Sequence, residues 1–276
     1  MTIILIACAI STVCATDILL FPKPSKTVSA ETMPFTQMLH TGVENDTFYM
    51  RGRFGVDFPI VGYDFGSGGS SGNSDDGGEN HRKILFGINA AAHINMLPTS
   101  GMRFPVDNLY AVLALNFSGG INSQWSWRLY PVYHVSAHLA DGSTDIQNVD
   151  IRAVSSEMTR GEVYYKPFGD ILELGAGLGW YYHVCAQKEL RYRGDISILL
   201  TSGHYFYNAI LPYALLRVEN VYQGGNNLGI DASAGVLSLK DRRGFGLSLR
   251  YFNRLHSSYY FERYEKGWGV EYTFVY

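Results

Sequence analysis

Apolar side chains recur at every second position in segment after segment of this chain, and that alternation limits the possible folds more than any other feature. In "KILFGINAAAHINM", residues 83–96, Ile84, Phe86, Ile88, Ala90, Ala92, Ile94 and Met96 alternate with positions that include Asn89, His93 and Asn95. The pattern returns at Leu172, Leu174, Ala176, Leu178, Trp180, Tyr182 and Val184, and again at Leu228, Ile230, Ala232, Ala234 and Val236. Period two places one set of side chains on each face of a strand. A soluble sandwich also alternates, but many of these segments reach ten residues or more. That length suits a tilted transmembrane strand better than the usual five or six residues. The polar faces also carry both signs of charge: Arg51, Arg53 and Asp57 in one segment, Glu189, Arg191, Arg193 and Asp195 in another.

The expected fold is therefore all-β, a transmembrane antiparallel up-and-down barrel of about twelve strands in the outer membrane of a bacterial cell. Strands are expected near 49–63, 83–97, 106–118, 125–139, 148–166, 171–184, 189–200, 205–220, 227–238, 243–253 and 267–276, with a weaker one near 33–41. Closure pairs every backbone donor with a neighbouring strand and leaves no edge. Charges of both signs on inward faces predict a narrow polar interior rather than a wide diffusion pore.

Composition agrees with this. The 30 glycines and 14% aromatic residues favour strands and turns, and 22 Lys and Arg against 25 Asp and Glu argue against nucleic-acid binding. Residues 1–15, "MTIILIACAISTVCA", read as a secretory signal peptide with Val13 and Ala15 before the cut, although no Lys or Arg precedes the apolar run. The barrel would then span residues 16–276. Cleavage removes Cys8 and Cys14, leaves Cys185 alone and excludes an intramolecular disulfide. A lipoprotein reading through Cys8 or Cys14 is weaker, because the apolar run is short and Val13 suits the position poorly. The insertion "GSGGSSGNSDDGGEN", residues 66–80, reads as a flexible linker, since Asp75, Asp76 and Glu79 fit no calcium-loop spacing. Counting strands back from a periplasmic C-terminus puts it on the periplasmic side, where turns are usually short.

Chemistry concentrates at "YPVYHVSAHLADG", residues 130–142. His134 and Ser136, with Asn148 beyond, have the residue types of a nucleophile, its base and an orienting amide. Strict alternation gives another reading. Trp127, Leu129, Pro131, Tyr133, Val135, Ala137 and Leu139 form one apolar face, and Arg128, Tyr130, His134, Ser136 and His138 form the other. With the apolar face on lipid, Arg128, His134, Ser136, His138 and Asp141 become a lumen cluster, out of reach of a membrane lipid. A bulge at Pro131 would reverse the downstream parity, turning Tyr133, Val135 and Leu139 inward. Strict alternation thus favours a non-catalytic barrel that is structural or binds or passes a small ligand. The alternative is an envelope lipid acyl hydrolase using His134, Ser136 and Asn148. No cofactor is expected. Nor is a metal, since His134 and His138 lie about 13 Å apart along a strand. Gly175, Gly177 and Gly179 mimic a nucleotide loop but fall inside an alternating strand, where small lumen-facing residues are the better reading.

Three resemblances bear on these expectations. The ending "WGVEYTFVY" resembles the C-terminal strand of bacterial outer-membrane barrels, which implies the barrel-assembly machinery as a partner beside the outer-membrane lipids. His134, Ser136 and Asn148 resemble outer-membrane phospholipase A in type and spacing, and lipid A deacylase shares His-x-Ser with a following Glu. Ala137 and His138 depart from both families. His134-Val-Ser136-Ala-His138-Leu139-Ala-Asp141, with "LLFPKP" at 19–24, is similar to a family of uncharacterised outer-membrane barrels carrying His-x-Ser-Ser-His-Leu-Gly-Asp-Glu. That resemblance implies a barrel and assigns it no activity.

Overall fold

The computed structural model describes residues 17–20, 36–44, 47–64, 83–96, 106–139, 153–185, 189–203, 205–206, 210–240, 243–255 and 264–275. Residues 1–15, expected to be a signal peptide, the 66–80 insertion, Asp141 and Asn148 lie outside these residues. The described residues contain strands and no helix. In chain order the strands are β1 (Asp17–Leu20), β2 (Thr36–Glu44), β3 (Thr47–Asp64), β4 (Lys83–Met96), β5 (Val106–Gly120), β6 (Trp125–Leu139) and β7 (Ala153–Tyr165). They continue as β8 (Leu172–Cys185), β9 (Leu190–Thr201), β10 (Leu211–Gln223), β11 (Asn226–Lys240), β12 (Arg243–Leu255) and β13 (Tyr264–Val275).

Each strand from β2 to β13 pairs antiparallel with the next, and β13 returns to β2, with Gly267 opposite Glu44 and Val275 opposite Thr36. Twelve strands thus form an up-and-down ring, as the alternation predicts, and β1 adds a short pairing along Val61–Asp64 of β3. Most expected strands fall within a few residues of the observed ones. The largest shift is in β10, which begins at Leu211 rather than near 205.

Exposure is inverted relative to a soluble protein. Leu178 (66%), Ile196 (64%) and Leu249 (65%) are among the most exposed side chains, while Asp57, Arg128, Arg160, Glu162, Glu219 and Glu271 are buried. A charge inside and an oily side chain outside is the arrangement that hydrocarbon around the barrel stabilises, and such barrels belong to bacterial outer membranes.

Ion pairs link neighbouring strands across the lumen. Arg128 reaches Asp57 at 3.4 Å, Arg193 reaches Glu219 at 2.7 Å, and Arg250 holds Glu271 at 2.8 Å as well as Asp231. Arg160 sits between Glu162 and Asp195, and Arg217 reaches Asp195 at 3.1 Å. Gly177 leaves room for the Arg160–Asp195 pair, since a Cβ there would collide with both side chains, so the glycine run is the lumen lining expected from the sequence. Towards the end away from the β13 finish an apolar cluster joins the ion pairs: Met158, Tyr181, Leu190, Val221 and Leu255 pack together with Tyr133 and Val184, while Asn95 and Asn108 are buried at the same end. The polar interior expected from the sequence is found, with an apolar cluster added to it. Alternation read without bulges kept Tyr133 and Val184 on the outside.

Candidate functional site

The parity of β6 breaks at Pro131. Tyr130 pairs with Arg160 of β7, yet the next paired residue, Tyr133, faces Met158, so β6 carries one residue more than its partner. On the other side Leu129 faces Phe117 and Val132 faces Leu115, with the same surplus. A bulge is expected where proline cannot donate to the ladder. The Pro131 carbonyl, displaced by it, accepts a hydrogen bond from the Thr159 hydroxyl at 3.0 Å.

Before the bulge, Arg128 and Tyr130 are buried in the lumen and Leu129 is exposed. After it, Val132 is exposed, Val135 and Ala137 are buried, and His138 is exposed. The neighbouring strand gives the same facing. His134 lies opposite Leu113 (55% exposed) and His138 opposite Leu109 (41%), whereas Val135 lies opposite buried Val112.

The lumen cluster expected from the sequence is therefore corrected. Arg128 points inward, bonded to Asp57 and to the Tyr130 hydroxyl at 3.0 Å, while His134, Ser136 and His138 occupy the outer face. The unbroken apolar face drawn through Tyr133, Val135 and Ala137 does not exist, because the extra residue rotates everything after it by one step.

On the outer face a row of polar residues crosses three strands. His134 pairs with Glu157 of β7, which pairs with His183 of β8, and one step along Ser136 pairs with Ser155. His134 Nδ1 lies 3.3 Å from Glu157 Oε1, each side chain about one third exposed. A second surplus residue, Tyr182, lies between the His183–Glu157 and Tyr181–Met158 pairs, so Tyr182 and His183 are both exposed and Val184 turns to the core. Sequence reasoning placed His134 and Ser136 together but missed Glu157, which is on another strand. The only signal for it was its outward parity on β7, among Ser155 and Thr159.

Three properties of this arrangement matter chemically. A carboxylate facing His134 Nδ1 orients the ring and leaves Nε2 as the nitrogen not facing Glu157. Ser136 stands two residues away on the same face, about 6.6 Å along the strand. His138 flanks Ser136 on its other side but faces Ala153 and Leu109, so no carboxylate is opposite it. No group of three or more His, Cys, Asp or Glu suited to a metal occurs among the described residues.

The lumen offers less. The cavity among Arg53, Glu162, Arg217, Asp231 and Arg250 measures about 100 Å³, below the range of about 300–1,000 Å³ common for ligand pockets.

No protein-family model matches the chain, and no curated protein matches it. Among solved structures it is similar to the beta domain of the Bordetella autotransporter BrkA, at 12% identity over 87% of this chain and 96% of that one, with a TM-score of 0.44. It is also similar to OmpT, an outer membrane protein of Vibrio cholerae in a trimer form, at 10% identity over 88% and 98%, with a TM-score of 0.40. Likeness this loose says nothing of a role.

Proposed function

We propose that this barrel is an outer-membrane acyl-ester hydrolase acting on membrane lipids, with Ser136 as nucleophile, His134 as general base and Glu157 as the residue that orients the imidazole. The observation that carries this reading is the reversal of parity at Pro131, which turns Ser136 and His134 to the lipid side. A carboxylate stands directly across from His134 and not from His138, the other histidine of β6.

In the reaction, the Ser136 hydroxyl attacks the ester carbonyl and His134 Nε2 takes its proton. The ester C–O bond breaks, and the departing alcohol receives that proton from His134. Water, deprotonated by the same nitrogen, then releases the fatty acid from Ser136. Glu157 faces the ring across the two strands and stabilises the imidazolium.

Depth supports the same substrate. Trp125 and Tyr165 stack at 4.4 Å at the end where β13 finishes, as residues of an interfacial girdle do. From Tyr165 to Glu157 is eight residues of β7, about 26 Å along a strand tilted 35–45°, hence about 20 Å of membrane depth. An apolar band is about 25 Å tall, so the site sits near its other edge, where lipid ester bonds lie. With the C-terminus periplasmic, that edge belongs to the outer leaflet, and Tyr264–Val275 is the strand offered to assembly machinery.

The resemblance of His134 and Ser136 to outer-membrane phospholipase A and to lipid A deacylase agrees with this reading. Glu157, 21 residues after Ser136, takes the role expected of Asn148. The test is fatty-acid release from phospholipid or lipid A micelles by the purified full chain. The wild type should hydrolyse and Ser136→Ala should fall to background; a wild type no faster than Ser136→Ala defeats the proposal.

A further inference from the structure

A third surplus residue lies near the same end of the barrel. Tyr222 of β10 pairs with Tyr192 of β9, but the next pair is Gln223 with Leu190, so Arg191 is extruded and exposed. Its guanidinium carbon stands 5.6 Å from the centre of the Tyr222 ring. Tyr222 stacks on Tyr192 at 5.2 Å, and Tyr192 on Trp180 at 6.5 Å, which makes an aromatic ledge across β8, β9 and β10. The ledge is held in place, because the Tyr192 hydroxyl donates to Asn226 Oδ1 at 2.7 Å and the Asn220 amide donates to the same oxygen at 3.1 Å. Trp180 is 61% exposed and belongs to the lipid-facing set.

Arg191 differs in setting from the lumen arginines, which face carboxylates across an enclosed interior. Glu189, two residues before it, lays its carboxylate against the Gly224 turn. A guanidinium on the outer surface of a membrane barrel is stable where it meets the anionic headgroup layer. Stacking on an aromatic face leaves its in-plane N–H donors free, and that fork matches phosphate oxygens.

We infer that Arg191 and the Trp180–Tyr192–Tyr222 ledge bind the phosphate headgroup of an anionic membrane lipid. The ledge faces outward from the barrel, so the phosphate is carried by a lipid rather than arriving free from solution.

The experiment is native mass spectrometry of the full barrel with phosphatidylglycerol and phosphatidylcholine in competition, with folding of each variant checked by heat-modifiable gel mobility. The wild type should retain phosphatidylglycerol by about tenfold, the effect of one charge-assisted contact. Arg191→Glu should bring the ratio near one, Arg191→Lys should keep part of it, and Ser136→Ala should leave it unchanged. A wild type without preference, or a preference that survives Arg191→Glu, overturns the inference. Displacement of the lipid by inorganic phosphate alone makes the site one for a free anion and overturns it too. Because the readout needs no hydrolysis, a barrel that is inactive yet selective removes the hydrolase and leaves the ledge standing.

Discussion

The two halves of β6 make opposite use of the same alternation. From Trp125 to Tyr130, charged and aromatic polar groups face the lumen and Leu129 faces out, whereas from Val132 to His138 apolar Val135 and Ala137 face in and His134, Ser136 and His138 face out. One surplus residue at Pro131 separates them. The first half contributes to the barrel's ion pairs and the second turns His134, Ser136 and His138 to the membrane. Strand parity is thus a property of everything preceding a position, and a single bulge can convert a lumen network into a lipid-facing site.

That contrast can be broken most sharply by removing its cause. Deleting Pro131 restores equal counts on β6 and β7 and returns Ser136 and His134 to the lumen. Lipid hydrolysis should fall about 10³-fold or more, as it does when a nucleophile is lost, while the barrel still folds. Retained activity in that variant would sink the facing argument. In the first half, Arg128→Ala leaves buried Asp57 without its cation. Stability measured by urea unfolding in detergent should drop by about 3–5 kcal/mol, with hydrolysis per folded molecule unchanged.

Smaller effects sharpen the second half. Glu157→Gln keeps the shape of the pair but removes the charge that stabilises the imidazolium. The expectation is a loss of about 10²-fold in kcat with little change in KM, less than for a fully buried triad carboxylate because this pair is partly exposed. Thr159→Val withdraws the hydroxyl bonded to the Pro131 carbonyl, and urea unfolding should register about 1 kcal/mol. His138→Ala should change the rate by no more than about twofold, the scale of an ordinary surface substitution. A large loss there, with His134→Ala mild, would transfer the base from His134 to His138.

Much of the barrel was legible before any coordinates. The alternation at 84–95, 172–180 and 228–236 gives the correct facing, because those stretches keep a one-to-one register with a neighbouring strand. The inward charges were legible for the same reason. The facing of His134 and Ser136 was not, since nothing local distinguishes a Pro that sits in register from one that adds a residue. The paired strand decides it, through the count of residues between Arg160 and Met158. The outward turn of His183 and of Arg191 escaped for the same cause.

By itself the sequence determined an antiparallel ring of about twelve strands, since side chains that alternate between oil and charge over such lengths can satisfy their backbone only by closing on themselves. Which residues of β6 meet the lipid, and that Glu157 stands across from His134, were decided only by the tertiary structure. The register between two strands depends on hydrogen bonds formed by both, and a bulge on one is defined only relative to the other.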